Sequence, residues 1–159
     1  MSRRDDYIYL ENTEVPPERT AGEITGLLVR AGARHIQTEY GTGGELEGLR
    51  WSMQLAQQVL WFSMPVRTAG VFKQLMNRAQ KHSPVYDAPK LQQKAKRVAW
   101  RQLLRWTEVQ VAMIQSEMVE AVEVFLPYLQ GQSGQSLYCQ FKEDAMKALP
   151  APEAQERTA

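Results

Sequence analysis

The longest hydrophobic pattern in the chain lies between Pro89 and Pro127, a stretch with neither glycine nor proline inside it. Strong helix formers with apolar residues three and four apart predict one helix, or two nearly collinear ones, over about 88–126. At about 1.5 Å per residue an unbroken helix would be roughly 55 Å long. A compact domain of this size has a radius of gyration of only about 15 Å, so the helix bends or projects. Leu91, Ala95, Val98, Ala99, Trp106, Val109 and Met113 make one broad apolar stripe, assigned to the core. Trp100, Leu104, Val111 and Met118 make a second stripe well away from it. Two readings fit the second stripe: a central helix covered on both sides within one subunit, or an oligomer interface.

Before this helix the pattern shortens. Tyr7 to Glu11 alternates and predicts a strand. Pro16 and Pro17 suit the first turn of a helix that buries Ala21, Ile24, Leu27, Leu28 and Ala31 and stops at Gly32. Arg34 to Tyr40 predicts a second strand, and Leu49 to Leu55 a third with one dry and one wet face. VLWFSMPV, ending near Pro65, predicts a strand covered on both faces. Thr68 is the expected N-cap of a helix to about His82 that buries Val71, Phe72, Leu75 and Met76. Beyond Pro127, GQSGQS predicts a loop and LYCQF a short ordered piece. The order β-α-β-β-β-α-α predicts an α+β fold: an antiparallel sheet of about four strands, helices on one face, and the long helix C-terminal to them. One domain is expected over 1–149, with a frayed leader at 1–6 and a disordered tail at 150–159.

Charge adds a third strip to the long helix. Lys90, Lys94, Arg97, Arg101 and Arg105 recur at intervals of four, three, four and four and line one face. After it the sign reverses, through Glu108, Glu117, Glu120 and Glu123. Positive charge near the helix start is disfavoured by the macrodipole, so a compensating group is expected from outside. An antiparallel second copy would supply one, and so would a bound polyanion; a plain solvated face is the commonest meaning of such a strip. A net charge of +1 over 159 residues confines anion binding to local patches. Cys139 is the lone cysteine, no signal peptide is legible, and no window approaches a membrane span. These features predict a cytoplasmic protein with no membrane partner.

Candidate chemistry is sparse. His35, His82 and Cys139 lack the spacing of a zinc set, so no metal and no cofactor are expected. Glu39, Glu45 and Glu47 flank Gly41-Thr42-Gly43-Gly44 and offer a Mg²⁺ alternative, against the plainer reading of solvated hairpin acids. The glycine loop lacks the GxxxxGK[ST] pattern and joins two strands instead of opening a helix, so it reads as a turn. No nucleophile motif is present, and no catalytic residue is assigned.

The stretch from Pro17 to His82 resembles a double-stranded-RNA-binding domain in the order of its elements. It lacks that family's basic start to the last helix, since Thr68 to Asn77 contains only Lys73. More broadly, ENTEVPPERTAGEITGLLVRAGARHIQTEY, RVAWRQLLRW, VFLPYL and SLY resemble a family of small uncharacterised proteins of bacteriophages, prophages and environmental sequences. The resemblance implies a bacterial host cytoplasm and a setting of nucleic-acid metabolism or host interference.

The expected function is a non-catalytic, homo-oligomeric binding protein. Its phosphate-rich partner, foremost nucleic acid, is expected on Lys90, Lys94, Arg97, Arg101 and Arg105, with Trp100, Leu104, Val111 and Met118 at the oligomer interface. The alternative is an interaction protein that inhibits a host protein or sequesters a small nucleotide.

Overall fold

The computed structural model describes residues 7–83 and 85–148; the expected leader at 1–6 and tail at 150–159 lie outside them. The fold is α+β, in the order α1 (Pro17–Arg30), β1 (Ile36–Tyr40), β2 (Leu46–Leu55), β3 (Gln58–Pro65), α2 (Ala69–His82), α3 (Ala88–Gln115), α4 (Ala121–Phe125) and α5 (Leu137–Ala148). The sheet is an antiparallel meander, β1-β2-β3.

Among the described residues three strands form where about four were expected, because Tyr7 and Ile8 pair with no strand and residues 9–12 are a turn. Leu10 adopts a positive φ, and Ile8 is buried against Leu75, Ala95 and Val98 of α2 and α3. Glu11 forms an ion pair with Arg78 of α2. This segment therefore crosses the helices instead of extending the sheet. The β3 edge is capped from the other end of the chain, where Leu129 bridges Phe62 and the Gln130 N–H donates to the Trp61 carbonyl at 2.8 Å.

Helix α1 ends as its sequence predicts. Gly32 takes φ 102°, and the N–H groups of Gly32 and Ala33 close onto the carbonyls of Val29 and Leu28, satisfying the last turn. Helix α3 stops ten residues before Phe125 by the same device without a glycine. Glu117 takes φ 56°, its N–H donates to Ile114 O, and the Met118 N–H donates to Met113 O. Glu120 then starts α4 through a reciprocal capping box with Glu123. The predicted single run is thus two helices, and α3 at 28 residues is about 42 Å long.

The core lies between the inner sheet face and the helices. Leu49, Trp51 and Met53 of β2 and Phe62 and Met64 of β3 meet Ile24 and Leu28 of α1, Trp100 and Leu104 of α3, and Phe125 of α4. Trp100, Leu104 and Val111 are fully buried within the chain. Three of the four side chains assigned to an oligomer interface are therefore core, because α1 covers that side of α3. Only Met118, at 68% exposure, remains available. Conversely Val109, assigned to the core, is 57% exposed. The face of α3 that is buried rotates along its length, from α2 at Ala95 and Val98 to α1 and the sheet at Trp100 and Leu104.

Two other expectations change. Thr68 occupies the N-cap position of α2, but its side chain makes no cap hydrogen bond. LYCQF belongs to the twelve-residue helix α5, whose continuation QFKEDAMKA has helical composition with no breaker.

Phe125 stands edge-on to Trp51 and Trp106, with ring centroids 5.2 and 6.0 Å away. Phe125→Ala is expected to lower the unfolding free energy by about 3–5 kcal/mol, read from the midpoint of a urea titration. A loss below about 1 kcal/mol would show that α4 does not close the core.

Candidate functional site

The five basic residues of the long helix do not form one open surface. Arg101, with its side chain 15% exposed, donates to Glu23 of α1 at 2.8 Å and to Thr20 Oγ1 at 3.4 Å. Arg105 donates through Nη1 to both carboxylate oxygens of Glu108. Arg97 reaches the Thr13 carbonyl through Nε at 3.4 Å. Lys90, Lys94 and Arg97 do share a concavity beside Tyr86, but Glu11, Glu14 and Asp87 line it too. The macrodipole conflict is resolved locally: Asp87 caps the start of α3 by accepting the Lys90 N–H, and α1 supplies Glu23 to the middle. Acids of α1, of α3 itself and of the Lys90–Arg97 concavity thus offset part of the positive charge that the strip has when read along the sequence.

Glu11 illustrates this. Its hydrogen bond from Arg78 outweighs the opposing cost of burial, and with the nearby charges of Arg78 and Lys94 it holds the carboxyl below its usual 4.5.

A different surface carries cations that form no ion pair among the described residues. β3 was expected to be covered on both faces, yet only its inner face is. Across the ladder Arg50 lies opposite Gln37 and Ser63, and Ser52 opposite Trp61. Directly opposed side chains share a face, so Gln37, Arg50, Trp61 and Ser63 form an outer face. His35, Gln37, Gln54 and Val59 on or beside it are exposed. The Arg50 guanidinium carbon sits 4.7 Å from the centre of the Trp61 ring. His35 stacks on Trp61 at 6.2 Å with ring planes 20° apart. Arg50 Nε is buried with no hydrogen-bond acceptor among the described residues, as are Trp51 Nε1 and Trp100 Nε1 in the core. Glu39 is the acid on this face, and it accepts from Ser63 Oγ at 3.1 Å.

Where β3 ends, the outer face runs into a cavity of about 440 Å³ walled by Ser63 and Pro65 on one side and by Tyr128, Gln130, Ser136 and Tyr138 on the other. Arg67 lies 5.9 Å from the centre of the Tyr138 ring. Cys139, assigned no role from sequence, also lines this cavity. None of Arg50, Trp61, Arg67 or Tyr138 was singled out by sequence reasoning as a site residue. The available signal was the apolar and aromatic run VLWFSMPV on a strand beside a register of polar residues.

Glu45 and Glu47, the Mg²⁺ alternative, fold back over the hairpin, where a Cβ on Gly41 would lie 2.3 Å from Glu47 Oε1. Among the described residues no three His, Cys, Asp or Glu side chains cluster as metal ligands. No helix among them is long and apolar enough to cross a membrane. Comparison with family models, curated proteins and solved structures finds no match to this chain.

The Glu11–Arg78 pair contributes stability that is present above pH 4.5 and is lost as pH falls through the lowered pKa of the folded state. Glu11→Gln is therefore expected to destabilise the protein at pH 7 and to converge with the parent well below pH 4.5. Urea unfolding at both pH values checks this, and an equal gap at both would rule the linkage out.

Proposed function

We propose that the protein is a non-catalytic binding protein for a phosphate-rich partner, with single-stranded nucleic acid the form that suits its surface. The reading rests on one observation: the sheet face carries Arg50 stacked on Trp61, while Arg101 and Arg105 of the long helix are ion-paired and Lys90, Lys94 and Arg97 share a concavity lined by acids. Stacked aromatic and guanidinium groups on an exposed sheet suit unpaired bases and the phosphates between them. Trp61 and His35 offer ring faces, and Arg50 and Arg67 offer planar donors. The near-neutral net charge fits a local patch of this kind. The lone cysteine and the resemblance to phage proteins support a setting in the cytoplasm of a bacterial host.

The second reading, a self-associating interaction protein directed at a host protein, is favoured by α5, where Phe141 is 70% and Tyr138 45% exposed. The two lie three positions apart, on one side of the helix.

Fluorescence anisotropy with a labelled single-stranded oligonucleotide separates these readings. The double variant Arg50→Gln, Arg67→Gln is expected to weaken binding at least tenfold at low salt. It should also reduce the slope of log affinity against log salt by about 1.4, two phosphate contacts on a single strand. Arg101→Gln, already engaged by Glu23, should change neither. If Lys90→Gln, Lys94→Gln and Arg97→Gln together abolish binding while the double variant binds normally, the interface is the long helix. Absence of binding by the parent protein would leave the interaction protein, for which Phe141→Asp should reduce self-association in size-exclusion chromatography.

A further inference from the structure

We propose that the cavity between the end of β3 and helix α5 is a subsite for a nucleoside phosphate, with the phosphate at Arg67 and the base against Tyr138. The inference rests on the nucleic-acid reading and gives it a defined pocket. At about 440 Å³ the cavity falls in the range of small-ligand sites, roughly 300–1,000 Å³. Among the described residues Arg67 is the one charged side chain lining it, and no carboxylate does. An anionic ligand is therefore favoured over a cation.

The polar groups sort the ligand's two ends. Ser63 donates its proton to Glu39, so it presents an oxygen acceptor to the cavity, suited to a ribose hydroxyl or an exocyclic amine and unsuited to a phosphate. Ser136 Oγ accepts the Cys139 N–H at 3.3 Å, which leaves its own O–H free to donate. Ser136 and Tyr138 flank the start of α5, where the helix dipole adds positive potential. Arg67 and Ser136 thus supply donors for the phosphate, and Ser63 an acceptor for the nucleoside. The Tyr138 ring, already facing the Arg67 guanidinium, supplies a flat apolar face on which a base stacks.

Cys139 is the only cysteine in the chain and lines the cavity, so its alkylation by iodoacetamide reports occupancy. The four nucleoside 5′-monophosphates, the corresponding nucleosides, inorganic phosphate, and a single-stranded DNA with and without a 5′-phosphate are the probes. At least one monophosphate or the 5′-phosphorylated strand is expected to slow alkylation fivefold or more, with the nucleosides and phosphate alone much weaker. Arg67→Gln should remove the protection, read as the ratio of alkylation rates with and without each probe in the same variant, so that any change in the basal rate cancels. Protection by monophosphates identifies a free nucleotide, and protection by the phosphorylated strand alone identifies a strand end. No protection by any probe, or protection that persists in Arg67→Gln, overturns the subsite. Oligonucleotide anisotropy run in parallel keeps the two ideas apart: binding without protection sinks the subsite and spares the nucleic-acid reading. Monophosphate protection without strand binding does the reverse.

Discussion

The aromatic closure around Phe125 is the contact on which the rest of the architecture depends. A three-stranded sheet has little area of its own, and its inner face is completed by edge-on rings: Phe125 against Trp51, Phe62 and Trp106, and Trp106 against Tyr128. Helix α4 is only five residues long, too short to persist alone, so the burial of Phe125 holds it. Once fixed, it directs residues 126–130 along the β3 edge, which in turn places the start of α5 beside Ser63 and Pro65. The candidate cavity is a consequence of that path, built from a segment that the core anchors at one end.

Helix α3 supplies the second constraint. Its length exceeds what the sheet can cover, and the excess is used by changing partners along the axis: α2 and Ile8 bury its first half, α1 and the sheet its second. The long basic strip follows the same division. Where α1 runs alongside, Glu23 meets Arg101, and these charges fix the relative placement of two helices. Such pairs contribute little net stability when partly exposed. A guanidinium already held by a carboxylate nonetheless offers a phosphate less than one stacked on an indole.

The α+β class, the meander, α1 with its glycine stop, and the Ala95–Val98 face of α3 were legible in the sequence, since each follows from periodicity and local turn chemistry. What was not legible depended on partners distant in sequence. Trp100, Leu104 and Val111 form a stripe whose cover is α1, some eighty residues earlier, and periodicity reports that a face is apolar without reporting what lies on it. The break after Gln115 uses Glu117 in a conformation usually taken by glycine, so no breaker marked it. The Glu120–Glu123 capping box was the one available signal. Tyr7 to Glu11 alternates like a strand, but the pull of Ile8 into the α2–α3 cluster and of Glu11 onto Arg78 decided its path. For the candidate site, the eye is drawn to clustered Lys and Arg, whereas Arg50 and Arg67 are isolated in sequence and distinguished by ring contacts made without an ion pair among the described residues.

The open sheet face also bears on why Trp61 is where it is. An indole on a solvated strand face gains less from burial than one in the core, and Val59 beside it is 55% exposed, so packing alone does not account for this pair. Arg50 covers one part of the ring and His35 another, which holds the indole without hiding it. A planar group arriving at this face would meet rings already ordered, and a phosphate would meet a guanidinium held against the indole. Both arrangements lower the ordering cost of binding. The same cannot be said of Lys90 and Lys94, whose long flexible stems lose rotamer entropy when they engage, and whose acidic neighbours must first be displaced or screened. Preorganisation therefore favours the sheet face over the helix strip even though the helix carries the greater number of charges.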